Sequence, residues 1–325
     1  MRKAGLIFLS FICIFLSYLT FITAQKAFHS NWKLPAASSE KEDRIRIVLI
    51  TQELETPFWD KVGKGAALQA KKDGASLEVW GSYGKNQDDF LKKLEIAIQS
   101  KVDGIIVQGL DTDKFKELTK IKAAFYGIPI ITVGNDVPKA ESLRKTYVGS
   151  DQHLAGRMIA KLMLSDMGQE GNVILLSDSQ QEYYQQQRLT GIKEVLQSFP
   201  NVKTIYAETP EAREQVIAKT RDLLNQYPDA DGFIAVNANI AGAMIQEIGR
   251  RGQVEPYYIY SFDDGSESNT LLNQKKLDGV IEQSPEMMGK KSVDVLMRWL
   301  ENETVPLDAD GYLSEIRMIK AMDKR

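Results

Sequence analysis

From Arg44 onward the chain is built of ten short apolar runs separated by amphipathic stretches. The runs are "RIRIVLI" (44–50), "SLEVWG" (76–81), "GIIVQG" (104–109), "IPIITVG" (128–134) and a short "TYVGS" (146–150). They continue with "NVILLS" (172–177), "VKTIYA" (202–207), "GFIAVN" (232–237), "YYIYSF" (257–262) and "GVIEQ" (279–283). Each is rich in β-branched residues and bounded by Gly, Pro or Asp, the pattern of strands buried on both faces of a parallel sheet. The stretches between them carry helical periodicity. Phe58, Val62, Ala66 and Ala70 share one face, as do Leu91, Leu94 and Ile98, and later Met288, Val295 and Trp299. Strands alternating with helices imply an α/β fold. Ten strands are too many for one doubly wound sheet of this length, and the pattern pauses near "YVGSDQHLAG" (147–156). Two βα domains of similar design fit better.

The bulk numbers narrow the function classes. The 325 residues are 43% hydrophobic and 26% charged, ordinary for a globular chain of about two domains. A net charge of −3 argues neither for nucleic acid nor for an acidic lipid surface. Two histidines, His29 and His153, and one cysteine, Cys13, argue against a His- or thiolate-rich metal site and against a Cys/His catalytic pair. A carboxylate-only metal site stays open, and no disulfide can form within one chain. No cofactor is expected, because "GxxxxGK[ST]" is absent and "GKG" (63–65) falls inside a helical stretch.

The N-terminus is an address. Arg2 and Lys3 precede an uncharged run, "AGLIFLSFICIFLSYLTFITA" (4–24). Its length is that of a spanning helix, and Ile22-Thr23-Ala24 is a poor cleavage site. It reads as an uncleaved signal anchor, with a cleaved signal peptide as the alternative. Phe11 and Ile12 stand before Cys13 where a lipobox needs small residues. In both cases the positive-inside bias places the rest of the chain outside the cytoplasm, behind a polar tether at 25–43.

In an open parallel sheet, ligands bind beyond the carboxyl ends of the strands. The residues at those ends are therefore the candidates. Thr56, Phe58 and Trp59 follow the first run; Gly134, Asn135 and Asp136 follow the fourth. Asn237 and Asn239 follow "GFIAV", Phe262, Asp263 and Asp264 close "YYIYS", and Gln283 ends "GVIE". Arg188 stands in the helix after "NVILLSDS", close to Tyr183 and Tyr184. No Ser/His/Asp set is present and no Gly-rich loop follows a strand. Amides, carboxylates and one Arg suit hydroxyl groups that both donate and accept, and Trp and Phe suit the C–H faces of a sugar ring.

Seven segments carry a family resemblance in order: "TPFWDKVGKGA", "GIPIITVGNDVP", "YVGSDQHLAGRMIAKLM", Arg188 followed by "LTG", "FIAVN", "IYSFDDG" and "GVIEQSPEMMG". Together they resemble the periplasmic sugar-binding proteins of the ribose/galactose type, the solute receptors of ABC importers, from about Arg44 to Leu307. The resemblance implies two Rossmann-like lobes with parallel sheets, joined by a three-crossover hinge and preceded here by the N-terminal hydrophobic helix. Crossovers are expected near Ser150-Asp151, Asp263-Asp264 and Gln283-Ser284. The first lobe then takes 44–150 plus 284–312 and the second 151–283 plus 313–325. The resemblance also assigns Phe58 and Trp59 to a ring sandwich and gives ligand contacts to Arg188, Asn237, Asp263 and Gln283. Three features depart from it: Thr56 stands where Asn is frequent, Gly134-Asn135 where ribose-type members carry Asp-Arg, and a segment carrying Arg213 where the second lobe would carry an aromatic. Asp136, two residues on, is the candidate replacement for that Asp.

Each candidate has a plainer role beside it. Phe58 shares the apolar face of its helix and can be core, whereas Trp59 lies off that stripe. Asn237 and Asp263 can be helix caps, Asp136 a turn former before Val-Pro, Gln283 a backbone tie and Arg188 a surface residue. The expected function is a sugar or polyol receptor, monomeric in its soluble part. It would close on its ligand and act on an ABC permease or a sensor kinase. Two alternatives belong to other classes. A regulator of the lac-repressor family shares this core but needs a helix-turn-helix where this chain is hydrophobic. A sugar-processing hydrolase would use Asp136 and Asp263 as paired carboxylates.

Overall fold

The computed structural model describes residues 14–21, 23, 44–180, 182–251, 257–262 and 266–321. Met1–Arg44 forms one compact unit and Ile45–Arg325 another. In the first, residues 14–21 are helical, and the anchor expected over 4–24 lies mostly outside the described residues. Among the described residues no helix is long and apolar enough to cross a membrane.

The larger unit contains two six-stranded sheets. Its strands are β1 (Arg46–Thr51), β2 (Ser76–Gly81), β3 (Gly104–Gln108), β4 (Ile130–Val133), β5 (Thr146–Gly149), β6 (Gly171–Asp178), β7 (Val202–Thr209), β8 (Gly232–Ala235), β9 (Tyr258–Phe262), β10 (Gly279–Glu282), β11 (Tyr312–Leu313) and β12 (Arg317–Lys320). The first sheet has the order β11-β5-β4-β3-β1-β2 and the second β12-β10-β9-β8-β6-β7. The ten expected runs are all strands, and the two sheets repeat one topology. The short edge strands β11 and β12 carry no apolar run of their own. β11 lies parallel to β5, and β12 is antiparallel to β10.

The helices are α1 (Pro57–Lys72), α2 (Gln87–Gln99), α3 (Asp113–Glu117), α4 (Lys139–Ser142), α5 (Gln152–Met167), α6 (Tyr183–Leu196), α7 (Arg213–Gln226), α8 (Ala238–Arg251), α9 (Ser266–Asn273) and α10 (Pro285–Leu300). They cover both faces of each sheet, which is why the runs lack alternation. In β1, Ile47 and Leu49 pack toward α1 and α10, while Val48 and Ile50 pack toward Phe90 and Leu94 of α2. In β6, Val173 and Leu175 join α5 and α6, while Ile174 and Leu176 join α7 and α8.

The chain passes between the sheets after β5, after β10 and between β11 and β12. This corrects the crossover expected near Asp263-Asp264. β9 pairs with both β8 and β10, so the chain stays in the second sheet there, with α9 packed on α8. The third passage instead falls between Leu313 and Arg317. The "GKG" segment also finds its use. A Cβ on Gly65 would lie 2.0 Å from the Glu286 carbonyl oxygen, and one on Gly289 would lie 2.0 Å from that of Val62. Paired glycines let α1 and α10 touch backbone to backbone.

Candidate ligand-binding cleft

The carboxyl ends of both sheets face a shared cavity of about 330 Å³, within the range of small-molecule sites. The first lobe contributes Glu53, Thr56, Phe58, Trp59, Lys61 and Asn135 to its wall, and the second contributes Tyr184, Arg188, Asn237, Asn239, Glu267, Ser268 and Gln283. Six of the eight sequence candidates therefore meet there: Phe58, Trp59, Asn135, Arg188, Asn237 and Gln283. Asp263 lies outside the described residues.

The aromatic pair is set by the start of α1. Thr56 is the N-cap, its hydroxyl accepting from the Trp59 amide at 3.5 Å, and Pro57 occupies the first turn. Phe58 and Trp59 meet edge to face, with centroids 5.3 Å apart. Trp59 is only 3% exposed and packs with Val62, Met288 and Leu296, yet it also lines the cavity. Core and cleft are thus not alternatives for Trp59, whose ring belongs to both. Gly134, at φ +71°, leaves room for it: a Cβ there would lie 3.0 Å from the tip of the indole. The residue type that departs from the ribose pattern is the one the indole's position requires.

Arg188 is fully enclosed, at 1% exposure. Nε donates to Gln152 Oε1 at 2.8 Å and Nη1 to the Val236 carbonyl at 3.0 Å. Its guanidinium lies between the rings of Phe262 and Tyr184, at 4.2 and 4.9 Å. Gln152 Nε2 in turn donates to Gln283 Oε1 at 3.1 Å, so two candidates from distant parts of the chain share one relay. Asn237 has two tasks as well. Its Oδ1 accepts from the Ile240 amide at 3.2 Å, capping α8, and its Nδ2 donates to Glu211 at 2.6 Å.

Asp136 does not line this cavity. Its carboxylate accepts from Thr132 Oγ1 at 2.6 Å and pairs with Arg144 Nη2 at 2.7 Å, and it borders a second, smaller hollow of about 220 Å³ beside Tyr147 and Tyr183. The reason is the turn at 134–136, which sends Asn135 into the cleft and Asp136 back against its own lobe. The sequence expects Asp136 on the ligand wall; here its carboxylate is turned away from this cavity. Asp136→Asn should leave solute binding intact while lowering stability by about 2 kcal/mol, the value of a hydrogen bond to a charged group, because Arg144 is deeply buried. Urea unfolding and a binding titration on the same sample check both halves.

Sequence reasoning missed the charged groups around the cleft. Lys85 follows β2 and pairs with Glu211 at 2.7 Å, Asp178 at 3.7 Å and Glu53 at 4.0 Å. Asn135 Nδ2 donates to Glu182 Oε2 across the cleft at 2.7 Å. Strand-end position was the available signal for Glu53, Asp178 and Lys85, but solvated charge is the commoner reading of such residues. His153 pairs with Glu194 at 2.9 Å on the outer face of α5. Among the described residues, no group of three or more His, Cys, Asp or Glu side chains is placed to hold a metal ion.

Comparison with known proteins places this geometry in a family. The family described as "Periplasmic binding protein domain" matches residues 47–304. The ribose import binding protein RbsB of Bacillus subtilis (strain 168) is 23% identical over 279 residues, covering 85% of this chain and 88% of that protein. Among solved structures, GanP, a glucose-galactose binding protein from Geobacillus stearothermophilus, superposes with a TM-score of 0.80 at 27% identity, over 86% of this chain and 98% of its own. A chain of the XylFII–LytSN complex superposes with a TM-score of 0.76 at 25% identity, over 86% of this chain and 99% of its own.

Proposed function

Since the chain belongs to the periplasmic binding protein domain family, we propose that it is an extracytoplasmic receptor that closes its two lobes on a neutral sugar or polyol. The observation that carries this reading is the make-up of the cavity wall. An edge-to-face aromatic pair from one lobe confronts amides and a stacked arginine from the other. Among the described residues, the charged side chains lining the wall are Glu53, Glu267, Lys61 and Arg188, two of each sign, which favours a neutral solute. Ribose and glucose-galactose binding by the relatives supports the same class.

In this reading Phe58 and Trp59 stack on the ring, and Asn135, Arg188, Asn237, Asp263 and Gln283 bond its hydroxyls. The lobes are 44–150 with 284–313 and 151–283 with 317–325, the last passage between them running through 314–316. A ligand bridging both lobes favours the closed state by its differential affinity for it. The protein binds without turnover. A membrane partner, an ABC permease or a sensor kinase, reads closure, and residues 4–24 hold the receptor at the outer face of the membrane. Similarity to one chain of a two-protein complex supports a protein partner.

A thermal-shift screen of residues 44–325 against monosaccharides, polyols and nucleosides tests the reading. Ligand at 100 times its Kd should add about 2.7 kcal/mol of stability. No shift across the panel counts against a sugar receptor, and release of product from glycosides counts for an enzyme. Trp59→Ala should remove most of the shift while the chain still unfolds cooperatively. A Trp59→Ala variant that binds normally would displace the aromatic wall from the site.

A further inference from the structure

Behind the cavity wall, one ammonium group meets four carboxylates drawn from both lobes. Lys85 and Glu53 stand beyond β2 and β1 of the first sheet. Asp178 ends β6, Glu182 precedes α6 and Glu211 precedes α7, all in the second lobe. The network reaches the cavity at both ends. Glu53 itself lines the cavity, and Glu211 accepts from Asn237 at 2.6 Å and Asn239 at 3.0 Å. Lys85 is also held in a costly backbone shape. It follows Gly84 at φ +62° with its own φ at +56°, a left-handed conformation that costs a non-glycine residue about 1–2 kcal/mol. The loop thus accepts strain and aims this one side chain across the cleft.

We propose that Lys85 is a positioning residue that latches the lobes together through Glu211 and Asp178, and that closing this latch takes up a proton. The proposal rests on the reading of the cleft as one that closes on a solute. Its physical basis is the imbalance of charge: one ammonium cannot neutralise four enclosed carboxylates. Opening the cleft separates Asp178, Glu182 and Glu211 from Lys85 and Glu53 and returns them to water.

Glu182 is the group placed to carry the proton. Burial pushes its carboxyl up to about 7; Lys85 opposes this, and Glu53, Glu211 and Asp178 add to it. Burial also raises Glu53, which faces Lys85, Glu211 and Glu55, and Asp178, which faces Glu211 and Lys85. Glu211 goes the other way: burial opposes its ionisation, but Lys85, Asn239 and Asn237 overcome burial and hold it below the usual range. Tyr184, next to Glu182, is pushed well above its ordinary value by burial and stays neutral throughout. The sign follows. A raised carboxyl favours the closed state at low pH, and that contribution is lost as pH rises through about 7. The depressed Glu211 favours closure above its ordinary range, and that contribution is lost as pH falls through its lowered value. Closure is therefore strongest in mildly acidic solution.

The test uses the full-length chain in non-ionic detergent, without ligand, with Cys13→Ser and spin labels at Lys92→Cys and Asp222→Cys, one on each lobe. Pulsed dipolar spectroscopy then reads the closed-to-open ratio. That ratio should rise about tenfold from pH 8 to pH 6, the effect of one proton bound near 7 when closed and near the ordinary Glu value when open. Glu182→Gln should flatten the pH dependence. Lys85→Met should lower the ratio about tenfold, and Lys85→Arg should restore most of it. Two distances in the wild type with no change in Lys85→Met overturn the latch and leave the receptor reading standing, as does closure that strengthens toward pH 8. A single distance at every pH, also with saturating monosaccharides, overturns the closing cleft and the latch with it.

Discussion

Arg188→Leu is expected to abolish solute-induced stabilisation and to lower the intrinsic stability of the chain by about 2–6 kcal/mol, the cost of two buried acceptors left unpaired. Both effects have one origin. The guanidinium is enclosed, and its loss strands Gln152 Oε1 and the Val236 carbonyl without their donor. Each buried acceptor left unpaired costs about 1–3 kcal/mol. The slot between Phe262 and Tyr184 is emptied as well. Gln152 then loses the partner that orients it toward Gln283, so the damage reaches a second residue of the cavity wall. Arg188→Lys keeps the charge but not the planar fork, and should recover little of either quantity. Denaturant unfolding measures the stability loss and a calorimetric titration the binding. A leucine variant that binds at wild-type affinity would show that Arg188 is purely a structural residue.

Gly191→Val should be among the most damaging single changes outside the cavity, costing about 4–5 kcal/mol or preventing folding. A Cβ on Gly191 would stand 2.1 Å from the His153 carbonyl oxygen, and across the same crossing a Cβ on Gly156 would stand 2.1 Å from that of Arg188. The obstacle is backbone on both sides, so no rotamer relieves it and α5 and α6 must separate. The milder Gly156→Ala, expected to fold, should weaken solute binding by shifting Arg188, whose carbonyl it strikes directly. Unchanged affinity in that variant would mean that Arg188 is held by its side-chain partners alone.

The sequence carried most of the fold for a local reason. Ten apolar runs of β-branched residues became ten strands because strands buried on both faces need no long-range information to be recognised. The same locality placed Phe58, Trp59, Asn135, Asn237 and Gln283, since each stands just beyond a strand's carboxyl end and the cleft is made of such ends. β11 and β12 escaped notice because each is short and depends on one neighbour for its identity. Periodicity also misjudged Trp59 as lying outside the core. Its ring is large enough to leave the α1 stripe, pack on Met288 and still face the cavity.

The sequence by itself therefore determined the element order, the two-lobed α/β plan and the neighbourhood of the cleft. These follow from unbroken apolar runs in the strands, a period of 3.6 residues in the helices and turn residues that act on their neighbours. Tertiary structure decided what the polar groups do. Asp136 is withdrawn because Arg144 is near enough to claim it, and Asn135, one residue away, reaches Glu182 in the other lobe. Lys85 gathers carboxylates numbered 53, 178 and 211 only because two separate sheets bring their strand ends together. Hydrophobic pattern is written along the chain, whereas the partner of a buried charge is fixed by whatever distant segment the fold brings within about 4 Å, where the interaction becomes strong.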